Sequence, residues 1–370
     1  MRPAILKHLE LLAATMLTIA LGACSDSGSS RGDGNILTNP EPTVATGIAA
    51  TVGSPTSVLV ASIAFDAGGA DSARITYHAA GGAVQHTPFY RTLSPDTIVV
   101  LGLLPNTAYS YAVETVTGGQ IASSASSSFT TASLPPDLAP YRLARISGVQ
   151  HHFTMTGVSV PGGGYAVVFD STGAIVWYRD FSTAGVGVSN VLMQPNGHIT
   201  TFLGNTSGWQ PAPGSYAEMT AAGALVHTYQ AAAGSYMDDH DILITGTGAN
   251  QQAHYFTFTV RQTDLSSLGM GTNVTTAGHQ IVRENATGDR AFTWDAWDHI
   301  ALNEWVGDTS AKATRGNSTD FDHPNALTFD NAGNYVVSWR NLDQIMALDP
   351  NTGDVLWRLG GLKSDFAFVG

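Results

Sequence analysis

From residue 42 to about residue 134, apolar positions come in short runs broken by turn residues: Ser57–Phe65, Ala73–His78, Asp96–Leu101, Tyr109–Val116 and Ser127–Thr131. In the fourth run Tyr109, Tyr111 and Val113 alternate with Ser110, Ala112 and Glu114, the period of a strand with one buried face. Several such runs in about 90 residues predict a β-sandwich. Pro135, Pro136 and Pro140 close the segment.

Beyond residue 140 the pattern repeats. Ala166–Tyr178, Ala217–Tyr229, Ile281–Trp294 and Ile345–Trp357 each run from a strand through a Gly-bearing turn into an apolar-aromatic strand. A second hairpin form recurs at Leu192–Ile199 and Leu327–Val336. The turn glycines lie 50 residues apart from Gly173 to Gly223, and 65 apart from Gly223 to Gly288 and from Gly288 to Gly353. Two hairpins make a four-stranded sheet, the blade of a β-propeller, whose period is usually about 40–50 residues. Residues 140–370 then hold four or five blades. The predicted fold is all-β: a sandwich followed by an incomplete β-propeller, six-bladed when whole. Trp177, Trp294 and Trp357 recur at blade positions and are expected in the core.

The amino-terminal stretch has another character. Arg2 and Lys7 precede the apolar run Leu11–Leu21, the length of a signal h-region and shorter than the roughly 20 residues of a membrane span. It ends in Leu21-Gly22-Ala23-Cys24, which resembles a bacterial lipobox, so residues 1–23 read as a lipoprotein signal peptide and Cys24 as the acylated terminus. Residues 24–41, rich in Ser, Gly and Asp, read as a flexible tether. Ser25 after the cysteine favours, by the same resemblance, an exported lipoprotein at the periplasmic face of the outer membrane or in the cell envelope. Contact with membrane is expected through the lipid anchor alone.

Composition narrows the function. A net charge of −13 without a Lys/Arg cluster excludes the basic footprint of a nucleic-acid binder. One cysteine excludes an intramolecular disulfide and Cys-based zinc sites. No His-x-x-x-His or carboxylate facial set appears, so neither metal nor cofactor is expected. The oligomeric state is left open.

Candidate chemistry gathers in the propeller half, where seven of twelve histidines lie between His198 and His323. Three strings stand out: Met237-Asp238-Asp239-His240-Asp241-Ile242, Trp294-Asp295-Ala296-Trp297-Asp298-His299-Ile300, and Asp320-Phe321-Asp322-His323-Pro324-Asn325. Val337-Ser338-Trp339-Arg340-Asn341 follows the third. An aspartate beside a histidine fixes its tautomer and raises its basicity, and an arginine offers a forked donor to an oxyanion.

Two family resemblances rest on these residues. Leu103-Leu104-Pro105-Asn106-Thr107-Ala108-Tyr109 resembles the L-x-P-x-T-x-Y segment of fibronectin type III domains, which implies such a sandwich at residues 42–134. The stretch from Trp294 to Phe366 resembles the bacterial and fungal arylsulfotransferases, with Asp239-His240-Asp241 matching an earlier motif. That resemblance implies sulfuryl transfer from a phenolic sulfate ester to a phenolic acceptor, nucleotide-independent and ping-pong through a sulfohistidine. It makes His240 and His323 the supporting histidines and Arg340 the arginine around the transferred group, with Asn325 and His299 as substrate-binding candidates. The family's nucleophilic histidine follows the Trp357–Gly361 hairpin, whereas residues 362–370 contain no histidine. The expectation is therefore a truncated chain lacking the nucleophile. Two alternatives stay open: a quinoprotein-like propeller, suggested by the recurring tryptophans, and a non-catalytic lipid-anchored scaffold.

Overall fold

The computed structural model describes residues 41–92, 96–144, 152–204, 213–306, 318–367 and 369. Residues 1–40, with Cys24 and the signal segment, lie outside them. Among the described residues no helix is long and apolar enough to cross a membrane. The chain divides into two compact units, one built largely from residues 41–131 and one from residues 132–370.

In the first unit, strands β1 (Thr46–Ser54), β2 (Ser57–Asp66) and β6 (Asp96–Val100) form one sheet in the order β1-β2-β6. The second sheet runs β4-β3-β7-β8, from β4 (Gln85–His86), β3 (Ser72–Ala79), β7 (Ala108–Thr117) and β8 (Gln120–Ser123). Short β5 (Tyr90–Arg91) adds to β3, and β9 (Ser127–Thr130) to β7. Period-2 patterning puts Ile63 opposite Ile98 in one sheet and Ile75 opposite Val113 in the other, all four buried. Tyr109 is buried beside Phe129, ring centroids 5.4 Å apart.

The second unit is a succession of antiparallel sheets. The first contains β10 (Phe153–Val160), β11 (Gly163–Asp170) and β12 (Ile175–Phe181); the next, β13 (Gly187–Met193), β14 (Ile199–Gly204), β15 (Gly214–Met219) and β16 (Leu225–Gln230). The third contains β17 (Tyr236–Thr245), β18 (Gln252–Thr263), β19 (Val274–Asn285) and β20 (Arg290–Asp295), with β21 (Ser318–Asp320) added parallel to β19. The fourth is β22 (Pro324–Phe329), β23 (Tyr335–Trp339), β24 (Gln344–Leu348) and β25 (Val355–Gly360). The leading strands are neighbours, β10 beside β13, β13 beside β17 and β17 beside β22, as in propeller blades set around an axis. Apolar cores fill the spaces between sheets. Phe202, Tyr216 and Met237 pack with Ile242 and Tyr255, and Phe256, Ile281 and Trp294 pack with Leu327, Tyr335 and Met346.

Four of the repeated turns share one cause. Asp170, Asn285, Asp330 and Asp349 each accept a backbone N–H two residues on, and the chain then passes through Gly173, Gly288, Gly333 and Gly353 at φ of 79–87°, a conformation natural to glycine. The tryptophans tie one sheet to the next. Trp177 Nε1 donates to Ala221 O in the following turn at 2.8 Å, and Trp294 Nε1 to Gly353 O at 3.0 Å. Trp357 differs: it is half-buried and meets Phe366 edge to face. The β17–β18 hairpin had no counterpart in the sequence pattern, because the polar string from Asp238 to Asp241 interrupts its first strand.

Candidate active site

Each leading strand of the last three blades breaks register: β13 between Ser189 and Leu192, β17 between Met237 and Ile242, β22 between Pro324 and Ala326. Such irregularities re-aim side chains away from the regular pleat. In β17 the break contains Asp238, Asp239, His240 and Asp241. In the last blade it adjoins the Asp320–His323 segment that joins β21 to β22.

Buried Asp238 organises the first loop. Its Oδ1 accepts the backbone N–H of His240 at 2.9 Å, and the same carboxylate accepts His240 Nδ1–H at 3.0 Å. Asp241 Oδ2 accepts Leu327 N–H at 2.8 Å, pinning the break in β17 to β22 of the next blade.

The second loop is held as tightly. His323 is buried with φ 50°, a left-handed conformation uncommon for a non-glycine residue. Its backbone N–H donates to Asp322 Oδ1 at 2.8 Å, and its Nδ1 donates to Asp320. The turn after β23 clamps this segment from outside. Arg340 N donates to His323 O at 2.9 Å, Asn341 N to Asp322 O at 3.2 Å, and Asn341 Nδ2 to Asp320 O at 2.7 Å. These contacts account for a backbone conformation that costs on the order of 1–3 kcal/mol.

The loops converge. The His240 and His323 rings meet edge to face with centroids 4.7 Å apart. His323 Nε2 is buried without a hydrogen-bond partner among the described residues, a costly state for a polar nitrogen and a place for a ligand atom to bind. Behind the pair lies His279 of β19, 1% exposed. Its Nδ1 donates to Asp322 Oδ1 at 2.5 Å, and its Nε2 stands 3.4 Å from Asp238 Oδ2.

Charge follows this geometry. Burial opposes protonation of His240, but the hydrogen bond and charge of Asp238, with the charge of Asp239, outweigh it and raise its pKa. Burial likewise opposes the charge on His279, yet Asp322 and Asp238 raise its pKa well above the ordinary value. Asp238, buried between both rings, is held far below the usual carboxylate range by their hydrogen bonds despite desolvation. Burial raises Asp239 and Asp241, Asp239 further through the Asp238 charge.

Among the described residues, two groups bring ligand-type atoms within 4.8 Å of one another: Asp238, Asp239 and His240, and His279, Asp320 and Asp322. Neither suits a metal ion. His240 Nδ1 is already engaged by Asp238, and both nitrogens of His279 face carboxylates. These are histidine–carboxylate hydrogen-bond groups.

Residues 148–366 match the family described as Arylsulfotransferase (ASST). The chain belongs to the arylsulfotransferase family. A search of curated proteins returns no match. A solved structure titled Kuenenia stuttgartiensis Hydrazine Synthase is 13% identical, covering 78% of this chain and 71% of its own with a TM-score of 0.35, a likeness too slight to bear on fold or function.

Family membership makes arylsulfotransferase activity the general expectation and sets the quinoprotein alternative aside. Of the residues singled out in the sequence, His240 and His323 come together. Arg340 joins them through its backbone, while its exposed side chain donates from Nε to Asn341 Oδ1 at 3.2 Å. Asn325 is exposed at the register break of β22. His299 goes elsewhere: it stacks on Trp294 at 4.7 Å and 9°, in the helical turn Ala296–His299. His279 and Asn341 hold these loops in place, and the sequence pattern did not single out either for the site.

Proposed function

We propose that the protein transfers a sulfuryl group from a phenolic sulfate ester to a phenolic acceptor, without a nucleotide donor, in two displacements through a sulfated histidine. The observation that carries this reading is the buried, unpartnered His323 Nε2 set against the ring of His240. With Nδ1 of each ring donating to an aspartate, each ring has its Nε2 left to meet the sulfate ester, and in the protonated His240 that atom carries an N–H for an anion. Sulfuryl transfer, like phosphoryl transfer, spreads charge over the equatorial oxygens of a loose transition state. Preorganised donors stabilise such charge most where water is excluded. Arg340 would supply the forked donor from the solvent side.

In the first displacement the neutral imidazole of a histidine other than His240 and His323 forms an N–S bond as the aryl S–O bond breaks, and His240, kept protonated by Asp238, delivers a proton to the departing phenolate. In the second, the acceptor phenol loses its proton to the same histidine and its oxygen takes the sulfuryl group as the N–S bond breaks. Phenols, with a pKa of about 10, depart more readily than alkyl alcohols. Asn325 completes the proposed substrate contacts.

The sequence resemblances also support a fibronectin type III-like sandwich, and two sheets of three and six strands with a buried Tyr109 suit that reading. Cys24 would be the acylated residue of an outer-membrane lipoprotein, and loss of labelled palmitate in Cys24→Ser tests it.

The activity test offers 4-nitrophenyl sulfate and phenol to the protein. Nitrophenolate release that requires acceptor, and that disappears in His323→Ala and Arg340→Ala, supports the proposal. Turnover unchanged in both variants, or no acceptor-dependent release by the native protein, contradicts it.

A further inference from the structure

His279 is the one histidine of the group that cannot meet a substrate: it is 1% exposed, with Phe258 at 5.5 Å on one side and His323 at 6.3 Å on the other. Each of its polar groups is nevertheless committed. Its backbone N–H donates to Asp322 Oδ2 at 2.9 Å, its Nδ1 to Asp322 Oδ1, and its Nε2 faces Asp238 Oδ2. A neutral imidazole has one N–H and one lone pair. Placed here it would point that lone pair at a buried carboxylate. Only the imidazolium offers a donor in both directions.

Those two carboxylates are the ones that set the loops. Asp238 holds both the backbone and Nδ1 of His240, and Asp322 holds the backbone of His323. Asp320, which accepts His323 Nδ1, also stands 3.9 Å from His279 Nδ1. The three buried aspartates would otherwise present a concentrated negative field to an incoming sulfate ester.

We infer that His279 is a positioning residue: as an imidazolium it ties Asp238 to Asp322, fixing His240 and His323 relative to each other and offsetting the carboxylate charge behind the anion site. This deepens the sulfuryl-transfer reading and rests on it for the role of the pair, while the charge and geometry of His279 are testable without turnover.

The first test uses the native protein. Histidine-selective 15N labelling, followed by imidazole nitrogen NMR from pH 6 to 8, should show His279 with both nitrogens protonated throughout. A neutral tautomer of His279 at pH 7 would falsify the inference. The second test compares His279→Gln, which keeps bulk without charge, with His279→Lys, which restores a cation. With the His279 charge gone, Asp238 acts on His240 undiluted, so the His240 pKa should rise further in the Gln variant. Affinity for 4-nitrophenyl sulfate should weaken by about tenfold, the scale of losing one nearby charge, with partial recovery in the Lys variant. A His240 pKa that falls back to its unperturbed value, or equal weakening in both variants, would reduce His279 to packing. If the native protein binds no aryl sulfate, the functional reading fails while the NMR result still decides the His279 assignment.

Discussion

His240 and His323 come from different blades, yet their rings stand edge to face at 4.7 Å, each with Nδ1 on an aspartate three or fewer residues upstream. Local pairing within each loop fixes each ring, and the packing of β17 against β22 brings the rings together.

The Asp320–His323 contact yields the first prediction. Asp320→Asn replaces the anionic acceptor of His323 Nδ1 with a neutral amide, so the ring loses the contact that fixes its orientation. Sulfuryl transfer should fall by about tenfold to a hundredfold, and His323→Ala should cost on the order of a thousandfold. Steady-state kinetics with 4-nitrophenyl sulfate measures both, and unchanged kcat/KM in Asp320→Asn contradicts the assignment.

Arg340 should act on the donor's anionic end rather than on the scaffold. Arg340→Ala is expected to weaken aryl sulfate binding with a thermal midpoint close to native, because the clamp on His323 uses its backbone N–H. Arg340→Lys should recover only part of the loss, since a point charge does not reproduce the fork.

His299 predicts a dissociation of stability from activity. His299→Ala removes the ring stacked on Trp294 and should cost about 0.5–1.5 kcal/mol in urea unfolding, with kcat/KM for sulfuryl transfer retained. A large loss of activity at native stability would return His299 to the site.

The contrast between His299 and His279 shows what the sequence could disclose. Asp298 beside His299 reads as a dyad in one dimension, but neighbouring positions on a helical turn point in different directions, and Asp295 instead caps that turn by accepting Trp297 N–H. His279 has no acidic neighbour in sequence; its hydrogen-bonded aspartate, Asp322, lies 43 residues away. Hairpins such as β24–β25 were legible because they carry their own turn chemistry, here the Asp349 side chain and Gly353. The site was legible only where donor and acceptor share a loop, as in Asp238 with His240 and Asp320 with His323.

His254 gives a pH dependence of stability. Burial, with the charge of Arg283 added, lowers its pKa from 6.5 to about 4. Between those values the unfolded chain binds a proton that the folded one refuses, so stability is full above pH 6.5 and declines as pH falls toward 4. The loss is on the order of 3 kcal/mol. Urea midpoints of native and His254→Gln protein at pH 7 and pH 4.5 should converge at the lower pH; parallel declines contradict the assignment.

The most direct measurement is a crystal structure of the protein with 4-nitrophenyl sulfate bound. The account predicts sulfate oxygens within hydrogen-bond distance of both Nε2 atoms, on His240 and His323. An ester seated elsewhere, with His323 Nε2 still unpartnered, would contradict it.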